Sequence, residues 1–143
     1  MAVQPYLFFD GKCEEALEFY KKALDAKVEM MMRFKENPEP PQPGDANCAG
    51  PMPTADMAEK IMHSAFKVGD VQILASDGMC SGKPTFQGIS LALSVKTEAE
   101  ADKRFSALAA GGEVQMPLAK TFFSPKFGMV ADKFGVSWMV MVD

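Results

Sequence analysis

With 143 residues, a net charge of −4 and a pI near 5.0, the chain has room for one ordinary domain and a charge balance that disfavours a phosphate backbone. Hydrophobic residues make up 48% and charged residues 24%, the proportions of a globular protein rather than a disordered one. At this length folding buries roughly 68–70% of the unfolded surface, so a sizeable core is available.

No run of Lys and Arg exceeds two residues, so nucleic acid is not an expected partner. The longest apolar stretches, such as residues 89–95, are too short to span a bilayer, and a membrane partner is not expected either. The opening Met1-Ala2-Val3-Gln4-Pro5 lacks the charged and apolar regions of a signal peptide, which makes the cytoplasm the expected location. Cys13, Cys48 and Cys80 are odd in number and form no CxxC pair, which fits reduced thiols better than a disulfide framework.

Along the chain, residues 3–9 are β-prone and aromatic and close on Asp10-Gly11, predicting a first strand and a turn. Over residues 13–24, Ala16, Leu17, Phe19, Tyr20, Ala23 and Leu24 recur at three- and four-residue spacing, the stripe of a half-buried helix. Glu14, Glu15 and Glu18 crowd its start and Lys21 and Lys22 its end, matching the helix dipole. Residues 27–34 read as a strand. Residues 36–59 are rich in proline, which has no amide donor, and read as a long loop with a helical turn near 55–59. Residues 63–68 and 71–76 form a hairpin around Gly69-Asp70, and the Gly- and Pro-containing stretch 79–86 is the candidate linker.

The order then repeats. Residues 88–95 read as a strand, Thr97-x-x-Glu100 opens a helix as a capping box, and Gly111-Gly112 ends it. Ala101, Phe105, Leu108 and Ala109 supply that helix with an apolar face. Residues 113–120 form a strand, and 127–131 with 136–142 a final hairpin around Asp132-Lys133-Phe134-Gly135. Phe19, Val28 and Met30 fall on Phe105, Val114 and Met116 at one common offset, which marks an internal repeat.

Pro5-Tyr6-Leu7-Phe8-Phe9-Asp10-Gly11 followed by Glu14-Glu15-Ala16-Leu17-Glu18-Phe19-Tyr20 is a distinctive opening. Met62-His63, Ala75-Ser76-Asp77-Gly78, Met116-Pro117-Leu118-Ala119-Lys120-Thr121-Phe122-Phe123 and Phe127-Gly128-Met129-Val130 continue it, and Asp132-Lys133-Phe134-Gly135-Val136-Ser137-Trp138 completes it. In these motifs, across almost its whole length, the chain resembles the PhnB-like family of the vicinal oxygen chelate (glyoxalase/bleomycin resistance/dioxygenase) superfamily. Members are also labelled 3-demethylubiquinone methyltransferase-like. The resemblance implies an α+β fold of two βαβββ modules, residues 1–78 and 87–143, forming a cupped mixed sheet around a cavity and pairing as a homodimer. The chain shows no Gly-rich strand-to-helix turn of the kind a nucleotide-like cofactor needs, and no cofactor is expected.

Metal-using relatives take one ligand from the first and one from the last strand of each module. The matching positions here are about Pro5 (Gln4 or Tyr6 if the register slips), Leu74, Ser90 and Met139. Pro and Leu have no donor, Ser is a poor one and Met is soft, so the resemblance carries no hard-cation set onto this chain and no metal is expected.

His63, the single histidine, reads either as a catalytic acid or base near neutral pH or as a hydrogen-bonded strand residue. Alternation puts Ser90, Ala92 and Ser94 opposite Ile89, Leu91, Leu93 and Val95, and Gln72, Leu74 and Ser76 opposite Val71, Ile73 and Ala75. Ser137, Met139 and Met141 likewise stand opposite Trp138, Val140 and Val142. Gln72, Leu74, Ser76, Ser90, Ala92 and Met139, with Trp138, Phe122 and Phe123 as nearby aromatics, form a surface suited to an apolar or aromatic small molecule. The same residues also suit a filled sheet interior. Phe122, Phe123 and Phe127 read as a cavity wall or as a contact between chains. Cys13 lies at a helix start, where the dipole favours a thiolate, but it has no second histidine to activate it.

Three functions follow as expectations. The first is a small-molecule-binding homodimer, with or without metal-independent chemistry. The second is a metal-dependent lyase, isomerase or oxygenase, drawing ligands such as Glu36, Glu39 and Asp45 from the long loop or from the partner chain. The third is an interaction protein with a filled cavity. A phosphonate ligand would call for clustered cations, and Arg33, Lys67, Lys120 and Lys126 are the ones available.

Overall fold

Asp25 and Thr97 set the limits of the two helices around which the chain is organised. In the computed structural model, which describes residues 1–36, 58–78 and 85–143, the first helix is α1 (Cys13–Leu24). It ends where Asp25 turns into the left-handed region at φ 53, a position glycine usually holds, and the following Ala26 N–H donates to Tyr20 O at 3.2 Å. The second, α2 (Glu98–Ala109), starts on Thr97, whose hydroxyl accepts from Glu100 N at 3.1 Å.

The chain forms two compact units, Met1–Pro84 and Thr85–Asp143; among the described residues the first holds α1 and the second α2, each with one four-stranded mixed sheet. The first unit runs β1 (Tyr6–Phe8), α1, β2 (Lys27–Arg33), a short 3-10 turn (Phe34–Glu36), β3 (Ile61–Val68) and β4 (Val71–Ser76). Its strands lie in the order β1-β4-β3-β2, with β1 parallel to β4 and the other pairs antiparallel. The second unit runs β5 (Leu91–Val95), α2, β6 (Glu113–Ala119), β7 (Phe127–Ala131) and β8 (Ser137–Val142), in the order β5-β8-β7-β6. Here β5 is parallel to β8 and the other pairs are antiparallel. Each unit is therefore a βαβββ module, and the α+β expectation holds in element order and pairing.

Each helix buries its apolar stripe on one face of its own sheet. α1 lays Cys13, Ala16, Leu17, Tyr20, Ala23 and Leu24 against Leu7, Phe9, Phe66, Ile73 and Ala75, and the Tyr20 and Phe66 rings stack at 5.7 Å. α2 buries Ala101, Phe105 and Leu108 in the core that holds Val95, Val130, Trp138, Val140 and Val142. Gly128 makes that contact close, since a Cβ there would stand 2.8 Å from Phe105 Cε2. Gly112 is tighter still, its absent Cβ falling 2.2 Å from Ala131 O.

Several strand ends differ from the sequence reading, for local reasons. β1 is shorter than residues 3–9, because Pro5 contributes only its carbonyl, which accepts from Leu74 N at 2.9 Å. β5 begins at Leu91, three residues later than expected, after Gly88 at φ +72. β8 begins at Ser137 because Val136 N is taken by the Asp132 carboxylate at 3.0 Å. The long loop expected at 36–59 and the linker at 79–86 fall for the most part outside the described residues. Among the described residues, no helix is long and apolar enough to cross a membrane.

Candidate functional site

Among the described residues, α1 and α2 each pack on one face of their own sheet, and strand alternation turns most candidate site residues to the other, open face. In the first sheet Ser64 is buried on the helix side, its hydroxyl donating to Ala75 O and lying 3.7 Å from Cys13 Sγ. His63, its neighbour, therefore faces the open side. There it meets Tyr6, whose hydroxyl is 3.0 Å from His63 Nδ1 and whose ring stacks on the imidazole at 5.6 Å. Tyr6 in turn packs on Phe8 at 4.8 Å, and both rings are exposed. Across the strands Tyr6 pairs with Leu74, Leu74 with Ala65, Ala65 with Met30, and His63 with Met32.

A polar chain borders this apolar patch. Gln4 donates to Gln72 Oε1 at 2.5 Å, Gln72 donates to Glu29 Oε2 at 2.6 Å, and Lys67 reaches Glu29 at 3.5 Å. Gln72 and Leu74 thus join His63 on the open face. Ser76 is buried, at 3% exposure, and offers little surface to a ligand.

The open face of the second sheet differs in kind. Met116 pairs with Met129, Met129 with Met139, and Met139 with Ala92, so three thioethers and a methyl group cross the sheet in one row. At one end Ser90 donates to Ser137 at 2.7 Å, and Ser137 donates to Gln115 at 3.2 Å. Ser90, Ala92 and Met139 are brought together as the sequence anticipates. Trp138 is not part of that surface. It is 2% exposed in the core, and its indole N–H donates to Asp132 Oδ2 at 2.9 Å, because a residue next to Met139 on β8 must point the other way.

Phe122 and Phe123 lie apart from this row, in the turn between β6 and β7. Phe122 is fully exposed, and Phe123 stands edge-on to both Phe122 at 5.1 Å and Phe127 at 5.0 Å. Ser124 anchors the turn, its hydroxyl lying 2.7 Å from both Lys126 O and Val142 O. An open recess of about 500 Å³ lies here, lined by Glu98, Lys120, Thr121, Phe122, Phe123, Ser124 and Pro125.

The positions expected for metal ligands do not fit a hard divalent cation. Pro5 has only its carbonyl, which Leu74 N already occupies, Tyr6 is the strand partner of Leu74, Ser90 donates to Ser137, and Met139 is a thioether, a set without carboxylate or imidazole. Of the four cations considered for a phosphonate, Lys120 lines the recess beside Phe122 and Phe123, and the other three are engaged elsewhere. Arg33 grips both oxygens of Glu14 and donates to Glu59 O, Lys67 reaches Glu29, and Lys126 donates to both oxygens of Asp102. The Arg33 fork holds the Glu14 carboxyl below its usual range.

At Cys13 burial overrides the helix dipole, in line with the lack of an activating histidine. Burial, more than any other influence, pushes its thiol up to about 12, with Asp77 and Glu14 adding to the rise and Ser64 opposing it. It is a core thiol rather than a nucleophile. Two buried carboxylates escaped the sequence reading. Asp77 accepts from Gly11 N and Cys13 N at 2.8 Å and from Ile61 N at 2.6 Å. Asp132 accepts from Phe134 N, Val136 N and the Trp138 indole. Tyr6 was also missed as the partner of His63. Its alternation with Leu7 and Phe9 was the available signal, since it puts Tyr6 and Phe8 opposite two core residues.

Residues 1–141 match the family model described as 3-demethylubiquinone-9 3-methyltransferase. The chain is similar to protein YjdN of Escherichia coli (strain K12), at 37% identity over 142 residues, covering 99% of this chain and 95% of that protein. It is also similar to the crystal structure of protein PA1353 from Pseudomonas aeruginosa, at 39% identity and a TM-score of 0.82, covering 100% and 98% of the two chains. A glyoxylase/bleomycin resistance protein/dioxygenase domain from Frankia sp. EAN1pec shares the fold at 18% identity and a TM-score of 0.63, covering 98% and 93%.

Proposed function

We infer a function from one premise: the chain belongs to the PhnB-like family described as 3-demethylubiquinone-9 3-methyltransferase, on the glyoxalase/bleomycin-resistance fold. We propose that it binds a small apolar or aromatic molecule on the open sheet faces, without a divalent metal, and that it works as a homodimer in the cytoplasm.

The observation that carries this reading is the composition of those faces. Tyr6, Phe8 and Met30 stay exposed beside His63 on one sheet, and the Met116–Met129–Met139 row crosses the other. Thioethers and aromatic edges make adaptable contacts with flat apolar ligands. The side chains at the edges of the patches, Gln72 on the first and Ser90 on the second, are already held in hydrogen bonds and supply orientation. Exposed apolar residues on the outer strands, Met30 and Met31 on β2 and Val114 and Met116 on β6, support association with a second copy.

A second reading is favoured by one contact. The hydroxyl of Tyr6 at 3.0 Å from His63 Nδ1 fixes the imidazole, which suits proton transfer to or from a bound molecule without any metal. Melting curves recorded against a library of aromatic and apolar compounds test the binding reading. Binding raises the midpoint with ligand concentration, and replacing Leu74 by Lys abolishes the rise. A library without effect, together with a stoichiometric stabilising divalent ion, overturns it. If His63→Gln binds a hit normally and turns nothing over, the acid–base reading gains support.

A further inference from the structure

We propose that Met30, Met32 and His63, on the open face of the first sheet, form a site for a soft monovalent cation, Cu(I) or its redox-inert counterpart Ag(I). The inference does not depend on the small-molecule reading.

Met32 and His63 are direct strand partners, and such residues hold their Cβ atoms about 4.5–5.5 Å apart on one face. Met30 lies on that face two residues from Met32, opposite Ala65, whose methyl group leaves the longer side chain room to lean across. The register is unbroken from Met30 to Met32, with the irregularities on either side of that stretch, so alternation is preserved. Met30 is 38% exposed.

The imidazole is already oriented. Tyr6 approaches Nδ1 at 3.0 Å from the β1 and β4 side, while both methionines stand on the β2 side. With Nδ1–H donating to the phenol oxygen, the Nε2 lone pair is left for a metal, the outer-shell arrangement that metal-binding histidines adopt. Two thioethers and one imidazole are all neutral, and thioethers select Cu(I) over the harder divalent ions. Among the described residues, no group of three or more His, Cys, Asp and Glu is placed to compete as a site for a harder metal. Glu29, on the same strand as the methionines, is engaged with Gln72 and Lys67.

The test uses the full chain with Cys48→Ser and Cys80→Ser, so that the remaining thiol is the buried Cys13. Silver nitrate is titrated in chloride-free buffer and followed by calorimetry and by methionine-methyl NMR. One Ag(I) binds per chain, moving the Met30 and Met32 methyl signals and the His63 ring, while Zn(II) moves none of them. Met32→Leu keeps the volume but removes the sulfur and weakens binding by about tenfold or more, and Tyr6→Phe weakens it by about tenfold through the lost outer-shell bond. Met139→Leu leaves it unchanged. Absence of stoichiometric binding, an unaltered affinity in Met32→Leu, or shifts confined to Met116, Met129 and Met139 overturns the proposal.

Discussion

Cys13 sits where a helix dipole favours a thiolate, yet burial outweighs both the dipole and the opposing Ser64 hydrogen bond, and the Asp77 and Glu14 carboxylates add to the rise. The folded protein holds the proton to about 12, whereas the thiol of the unfolded chain titrates near 9.0. This contribution to stability is complete below pH 9 and is lost progressively as pH rises towards 12. Iodoacetamide at pH 8 is therefore expected to leave Cys13 unmodified in the native protein and to label it in denaturant, as peptide mapping would show. Asp77 acts at the same scale. Its carboxylate gathers amides from Gly11, Cys13 and Ile61, tying the start of α1 and the start of β3 to the end of β4. Asp77→Ala leaves two buried donors and one part-buried donor without their acceptor, and a loss of about 3 kcal/mol is expected in urea unfolding. These bonds join residues 66, 64 and 16 positions apart, so no local pattern announced them.

Among the elements, the helices and hairpins were legible because their signals are local: the apolar stripe of α1, the Thr97 cap, the Gly69-Asp70 turn. What the sequence did not announce is how closely α2 approaches its sheet. Gly128 has no side chain because Phe105 and Leu118 occupy the space, with Phe105 Cε2 2.8 Å from where its Cβ would be. Gly128→Ala is expected to cost about 1–3 kcal/mol by overpacking. Thr97→Ala, by removing the hydroxyl that accepts from Glu100 N, is expected to cost about 1 kcal/mol. The two costs should add in the double variant, since the cap and the packing contact share no partner. Thermal unfolding of the three variants checks both the magnitudes and their independence.

For the whole molecule, the internal repeat and the alternation of β4, β5 and β8 made two modules with one covered and one open face readable in advance. That is why the sheet face of Leu74, Ala92 and Met139 could be read from alternation alone. Trp138, next to Met139 on β8, points into the core, because parity and not aromatic character sets the face. The Tyr6–His63 contact needed the strand order β1-β4-β3, which periodicity within a strand does not contain. With apolar residues exposed on both outer strands, sedimentation equilibrium is expected to give twice the 15.6 kDa of one chain, and Met116→Lys to shift the balance towards monomer.

The most direct test of a metal-independent ligand surface is methionine-methyl NMR during titration with the aromatic and apolar library and with Zn(II), Ni(II), Mn(II) and Fe(II). The account predicts that at least one compound moves the signals of Met30 and Met32, or of Met129, Met139 and Met141, while the divalent ions leave them in place. Open-face methionines untouched by every compound, but shifted stoichiometrically by a divalent ion, would contradict it.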